Sequence, residues 1–185
     1  MKVFKVDFDV DRFQSLATQE DGYWVELEQP FECKPMLDKW KPPKMYLDNP
    51  AAPAPDLWYV GIEATVAATA KAFEHVQTQF EMAGECLPLP AEGQQFTLLN
   101  VTECVNCLDH ERSKFLAGRS GRKLMPLKFA FHKNRFEESS IFKIPEMRSI
   151  ILCLERDGDP ELELKAAVEE HDLKGLTFEQ LWTSD

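Results

Sequence analysis

Cys104 and Cys107 form a C-x-x-C pair with His110 three residues further on, an arrangement that offers two thiolates and an imidazole to a zinc ion. A structural zinc site normally closes with four ligands, and neither Cys86, Cys153 nor His132 stands at a spacing that supplies the fourth. Histidine does not follow the pair directly, so it is not a haem attachment motif either. Free cysteine is among the most buried residue types, and these thiols are expected to be core residues with no metal and no cofactor. Asp109, His110 and Ser113 supply an acid, a base and a hydroxyl. Triads are assembled from separated elements, however, and no G-x-S-x-G elbow surrounds any serine here. Asp109 and Ser113 are expected instead to satisfy loose backbone groups in a turn. Gly118 and Gly121 lack the G-K-S/T ending of a phosphate loop. No residue is assigned a catalytic role.

The chain has 185 residues and a formal net charge of -11, the length of one ordinary domain that buries about 70% of its unfolded surface. That charge disfavours nucleic acid, since a grip on phosphate requires basic side chains to displace counterions. A basic partner suits it better. Hydrophobic residues at 44%, with 13 Phe and 4 Trp, argue for a packed core rather than disorder. Asp7, Asp9 and Asp11 interrupt any apolar run of a signal peptide, and no uncharged stretch is long enough to cross a bilayer. A cytoplasmic location with no membrane association is expected, and the five irregularly spaced cysteines then read as reduced thiols.

Charge is also segregated along the chain. From Arg112 to Lys128 there are six basic residues and no acid, whereas Glu155 to Asp172 holds eight acids against Arg156 and Lys165. Either the two segments lie against each other, or the acidic one faces a basic partner and accelerates its association. In the second case Glu161, Glu163, Glu169 and Glu170 are the candidate partner-binding residues.

The elements that must position these side chains are mostly strands. KVFKVDF alternates, with Phe4, Val6 and Phe8 on one side and Val3, Lys5 and Asp7 on the other. Seven of the 12 prolines fall between Pro30 and Pro55. Each fixes φ and removes a donor, so an extended crossing is expected at about 30–55, with Trp40, Tyr46 and Trp58 pinning it to the body. Thr69 can cap a helix carrying Phe73, Val76 and Phe80, with Gly84 as its left-handed terminus. Strands are expected at CLPL, QQFTLLNV, LKFAF (127–131), SSIFKI and SIILCL (149–154). A second helix starts at Asp159 and Pro160 with Leu162, Ala166 and Val168 as its stripe, and a closing strand carries Phe178 and Trp182, which like Trp58 is expected to be buried. There is no internal repeat. The order implies an α+β fold with a mostly antiparallel sheet system and a few packed helices, in a single domain over 1–185.

Six segments, LLNVTECVNCLDHERSKF (98–115), SSIFKIP (139–145), LKGLTFEQLW (173–182), KMYLDNP (44–50), PDLWYVG (55–61) and GECLPL (84–89), carry a resemblance over nearly the whole chain. In that order they resemble a bacterial immunity-protein family of polymorphic toxin systems, formerly a domain of unknown function, the Myxococcus-type immunity domain family. In its N-V-x-x-x-x-x-x-L-D run the Cys107 position is usually another small residue, which implies that a ligand role there would be peculiar to this chain. The resemblance implies a non-enzymatic inhibitor that binds and neutralises a cognate toxin, and the acidic charge suits a basic nuclease-type one. Two other readings stay open: a zinc-binding enzyme or regulator using Cys104, Cys107 and His110, and a ligand-binding or assembly module without a toxin partner.

Overall fold

In the computed structural model, which describes residues 1–18, 31–61, 64–117 and 123–184, the alternating N-terminal segment forms strand β1 (Lys2–Phe8). Its two faces find different cores. Phe4 and Val6 enter one apolar cluster and Val3 enters another, as period-2 alternation requires of a strand covered on both sides. β1 lies between β11 (Met147–Glu155) and β12 (Leu176–Thr183), and β10 (Ile141–Ile144) adds outside β11. All these pairings are antiparallel. Val3 faces Trp182 and Phe4 faces Gln180, so Leu181 is the extra residue of a bulge.

The second four-stranded sheet has the order β4 (Leu57–Trp58), β5 (Thr65–Thr69), β7 (Gln94–Val101), β6 (Gly84–Ala91), again antiparallel. Two further antiparallel pairs are described: β2 (Ser15–Thr18) with β3 (Met45–Asp48), and β8 (Lys114–Ala117) with β9 (Lys123–Lys128). The architecture is α+β, with mostly antiparallel sheets and two α-helices among the described residues, α1 (Ala70–Ala83) and α2 (Leu164–Glu170). None of these helices is long and apolar enough to cross a membrane.

Helix α1 begins where expected: the Thr69 hydroxyl accepts from the Ala72 amide at 3.1 Å, replacing one of the helix's orphan contacts. Ala72, Val76, Phe80 and Ala83 form its buried stripe. They join Leu99 and Val101 of β7, Ile151 and Cys153 of β11, and Leu164 and Ala167 of α2 in one cluster that draws on both sheets. Gly84 does not end the helix in a left-handed turn. Its φ of 164° is extended, and the residue opens β6 directly. Glycine is needed there because a Cβ would run into the Asn100 carbonyl of the neighbouring strand.

Three other expectations shift. The crossing contains β3, because the stretch from Lys44 to Asn49 holds no proline and can pair with β2. Within it Trp40 donates through Nε1 to the Pro88 carbonyl at 2.8 Å and sits edge-on to Phe31, whereas Tyr46 is exposed and pins nothing. Pro30 lies outside the described residues. LKFAF is not a strand of its own: β9 stops at Lys128, after which the Ala130 backbone serves Asp109 and Ser113. The last helix begins at Leu164, not at Asp159. Asp159 instead closes a turn, its side chain accepting from the Glu161 amide and its carbonyl from Leu162 and Glu163. The buried stripe is consequently Leu164, Ala167 and Val168, with Leu162 exposed. Trp58 is buried against Phe96, but Trp182 on edge strand β12 is only partly covered, by Phe131 and Phe136.

Candidate functional site

The acidic segment is a turn followed by one short helix, and its carboxylates divide into two kinds. Glu163 is 3% exposed. Its Oε1 accepts from the amides of Arg156 at 2.9 Å and Asp157 at 3.1 Å, and its Oε2 from Gly158 at 3.0 Å. One side chain thus fills a concave set of three backbone donors. That use of the carboxylate removes Glu163 from the expected partner-binding set, because both of its oxygens are already engaged within its own loop.

Glu161, Glu169 and Glu170 are exposed, together with Asp157 and Asp172. Glu169 pairs with Lys165 at 2.7 Å, and Lys165 also reaches Glu155 at 3.0 Å. Lys2 contacts Glu155 from the other side at 2.7 Å, so Lys2 and Lys165 together hold Glu155 below the ordinary carboxylate range. Burial opposes the charge on Lys165, but hydrogen bonds to Glu169 and Glu155 prevail and raise its pKa. Lys174 pairs with Asp172. Glu161 and Glu170 have no ion-pair partner among the described residues. The surface therefore keeps a net negative field even after its internal pairs are formed.

Among the described residues the basic segment does not neutralise it. No ion pair among the described residues joins 112–128 to 155–172; Arg112 leans on Asp109 at 3.7 Å. Arg119 and Arg122, with Gly118 and Gly121, lie outside the described residues. Arg112 and Lys128 instead border a cleft of about 910 Å³ with Phe131, His132 and Trp182.

Asp109 and Ser113 organise the turn at one edge of that cleft. Asp109 Oδ1 accepts from the amides of Glu111 and Arg112, each at 3.0 Å. The Arg112 amide is the chief reason the Asp109 carboxyl lies below its ordinary range. Ser113 Oγ accepts from the Ala130 amide at 3.0 Å and donates to the Ala130 carbonyl at 3.3 Å. The hydroxyl and the carboxylate are both occupied in fixing backbone, and His110 faces elsewhere: its Nε2 lies 2.5 Å from Glu146 Oε1 and its ring stacks on Phe115.

The same displacement of His110 bears on the Cys104, Cys107 and His110 set. Cys107 is fully buried among Val105, Leu108 and Phe131, and burial pushes its thiol up to about 12. Among the described residues no three His, Cys, Asp or Glu side chains converge on a possible metal position.

One charged group escaped the sequence reading. Lys143 is completely buried in β10, on the same face as Ile141, with Phe142 and Ile144 on the other. Its ammonium donates to the carbonyls of Phe31 at 2.6 Å and Ala64 at 2.9 Å. Burial lowers its pKa to about 8. A lone lysine inside the apolar run SSIFKI was the available signal, since a period-2 reading puts it on a core face.

Compared with known proteins, the chain matches no family model, and no curated protein aligns with it significantly.

Proposed function

We propose that this protein is a non-enzymatic immunity protein which binds a cognate bacterial toxin and neutralises it in the cytoplasm of the cell that makes both. The reading rests on the resemblance carried by the six segments from KMYLDNP to LKGLTFEQLW. The structural observation in its favour is the exposed acidic surface of Glu161, Glu169 and Glu170 beside Asp157 and Asp172. A toxin that acts on nucleic acid needs a basic surface, and an acidic inhibitor competes for that surface while steering its own encounter. Binding is the whole mechanism: a rigid face of complementary charge suffices, and no reacting group is required.

The test is a variant in which Glu161, Glu169 and Glu170 are all changed to Lys, leaving Glu163 in place. Against a basic toxin encoded beside it, the variant folds with the native circular dichroism spectrum but protects cells poorly. Its association rate is expected to fall about tenfold or more at low salt and to lose its salt dependence. Full protection with native association kinetics would place the inhibitory face elsewhere on the molecule.

A further inference from the structure

Two hollows meet along β12. One is the cleft of about 910 Å³ that Trp182 borders, and the other, of about 560 Å³, opens between β9 and the sheet. They share Lys128, Phe129, Gln180 and Leu181 and so join into one trough. One wall consists of five consecutive residues, 179–183, and the other of 125–134. Successive residues of a strand point to opposite faces, so a hollow that touches all five follows the edge of β12 and not a face. β12 is the last strand of its sheet. Among the described residues no strand pairs with its outer edge, and no backbone group from 179 to 183 bonds outside the β1 ladder.

We propose that this trough binds a short, extended, acidic segment of a partner protein, which adds to the outer edge of β12 as a further strand. Across from the edge, Met125 is 44% and Leu127 63% exposed, with the buried Pro126 between them. They offer apolar contact to alternate side chains of an added strand, while the backbone of β12 supplies the ladder. Lys5, Arg112, Lys128 and Lys133 line the trough against Asp109, Glu111 and Glu179, a cationic balance in a chain whose net charge is -11. Lys5 and Arg112 already have carboxylates, Asp7 and Asp109, whereas Lys128 is exposed and has no ion pair among the described residues. An incoming Asp or Glu can supply one.

Other occupants fit less well. The bulge at Leu181 bends the edge, which disfavours a long flat strand, such as the same edge of a second copy, and admits a short one. A lipid surface is flat and brings no backbone to the ladder, whereas the trough is concave. The site also stands apart from the acidic face and does not rest on the toxin reading. α2 packs in the cluster of Phe4 and Val6, on one side of β1, and Phe129, Phe131 and Trp182 pack with Val3 on the other. The two surfaces prefer partners of opposite charge and can be filled independently.

The experiment uses the whole chain and a phage-displayed library of random peptides about ten residues long, enough to span the edge. Selection on the immobilised protein should enrich sequences that alternate apolar residues with Asp or Glu, and the enriched peptide is then synthesised and titrated by calorimetry. Its binding should slow hydrogen exchange of the backbone amides in 179–183 and weaken as salt rises. Lys128→Glu should reduce the affinity about tenfold or more. Methylating one alternate set of the peptide's backbone nitrogens should reduce it as much, and methylating the other set should not, because an added strand turns only every second amide toward its neighbour. Enrichment of basic peptides or of none, exchange protection confined to other segments, or equal binding by both methylated peptides would overturn the proposal. So would a dimer held through β12, or adsorption to phosphatidylserine vesicles in place of peptide binding. Should Lys128→Glu fail to fold, the exchange map and the methylated peptides still decide.

Discussion

Replacing Glu163 by Ala probes whether the loop from Arg156 to Gly158 is built around a carboxylate. Three amides converge on its two oxygens at 2.9, 3.1 and 3.0 Å. A hydrogen bond to a charged group contributes about 1.5–3 kcal/mol, and a buried donor left without one costs a similar amount. Asp157 and Gly158 lie at the surface, where water can replace part of what is lost. Weighting the Arg156 bond fully and the other two in part gives a cost of about 3–4 kcal/mol for Glu163→Ala. Glu163→Gln keeps one acceptor oxygen but turns an NH₂ group toward an amide it cannot accept from, for about 1–2 kcal/mol. Urea unfolding followed by tryptophan fluorescence measures both. Glu161→Ala and Glu170→Ala are the exposed controls, expected within about 0.5 kcal/mol of the native protein. If Glu163→Ala unfolds at the same urea concentration as these controls, the loop does not depend on the carboxylate and the division of the acidic segment into two kinds is wrong.

Gly175 has a φ of 115°, and a Cβ there would collide with the Leu57 carbonyl; Gly175→Ala should cost about 3 kcal/mol in thermal or urea unfolding. Gly93→Ala, at a φ of 73° but with open space around it, should cost only about 1 kcal/mol, so equal losses would show that the contact is irrelevant. Lys143, lowered to about 8 in the folded chain, releases its proton before the unfolded chain does, and by itself raises stability by about 1 kcal/mol between pH 8 and 9. The thiols oppose this over the same interval and prevail above it, because Cys33, Cys86 and Cys107, raised to about 12, 11 and 12, keep protons that unfolded thiols give up. Urea unfolding across pH 7 to 10 should show the Lys143 contribution as the difference between the native protein and Lys143→Met, a difference that grows from pH 8 to 9, while the variant keeps the fall. Thr69→Ala removes the bond to the Ala72 amide and should cost about 1 kcal/mol, with Thr69→Ser restoring most of it.

Period and punctuation were enough to find β1, α1, β7, β11 and β12, because each carries its pattern over five or more residues. The backbone role of Asp109 was legible because its partners, Glu111 and Arg112, lie within three residues, whereas the Ser113 hydroxyl reaches the Ala130 backbone beyond the β8–β9 pair. What sequence spacing did not convey was use. Glu163 looked like its acidic neighbours, and only the fold shows that the amides of 156–158 curl around it. Asp159 and Pro160 resembled a helix start, but the demand of Glu163 for those amides delays the helix to Leu164. Lys143 depends on contacts across most of the chain, with Phe31 and Ala64, and no local pattern encodes a contact of that range. Leu181 was likewise invisible, since a bulge belongs to a pair of strands and not to either one.

The position of β1 governs how the chain comes to be folded. Its first strand is one of the two inner members of a sheet whose other strands, β10, β11 and β12, all lie beyond residue 140. During synthesis KVFKVDF emerges with the apolar face of Phe4, Val6 and Phe8 and two unpaired edges, and both of its partners follow only after residue 146. Loop-closure entropy has to be met before those pairings form, so this sheet should be the slow step, on the millisecond-to-second scale of non-local β topologies. Until then the segment is a sticky strand in search of an edge. A deletion of LTFEQLW should therefore leave β1 without one of its two partners and produce an aggregating chain.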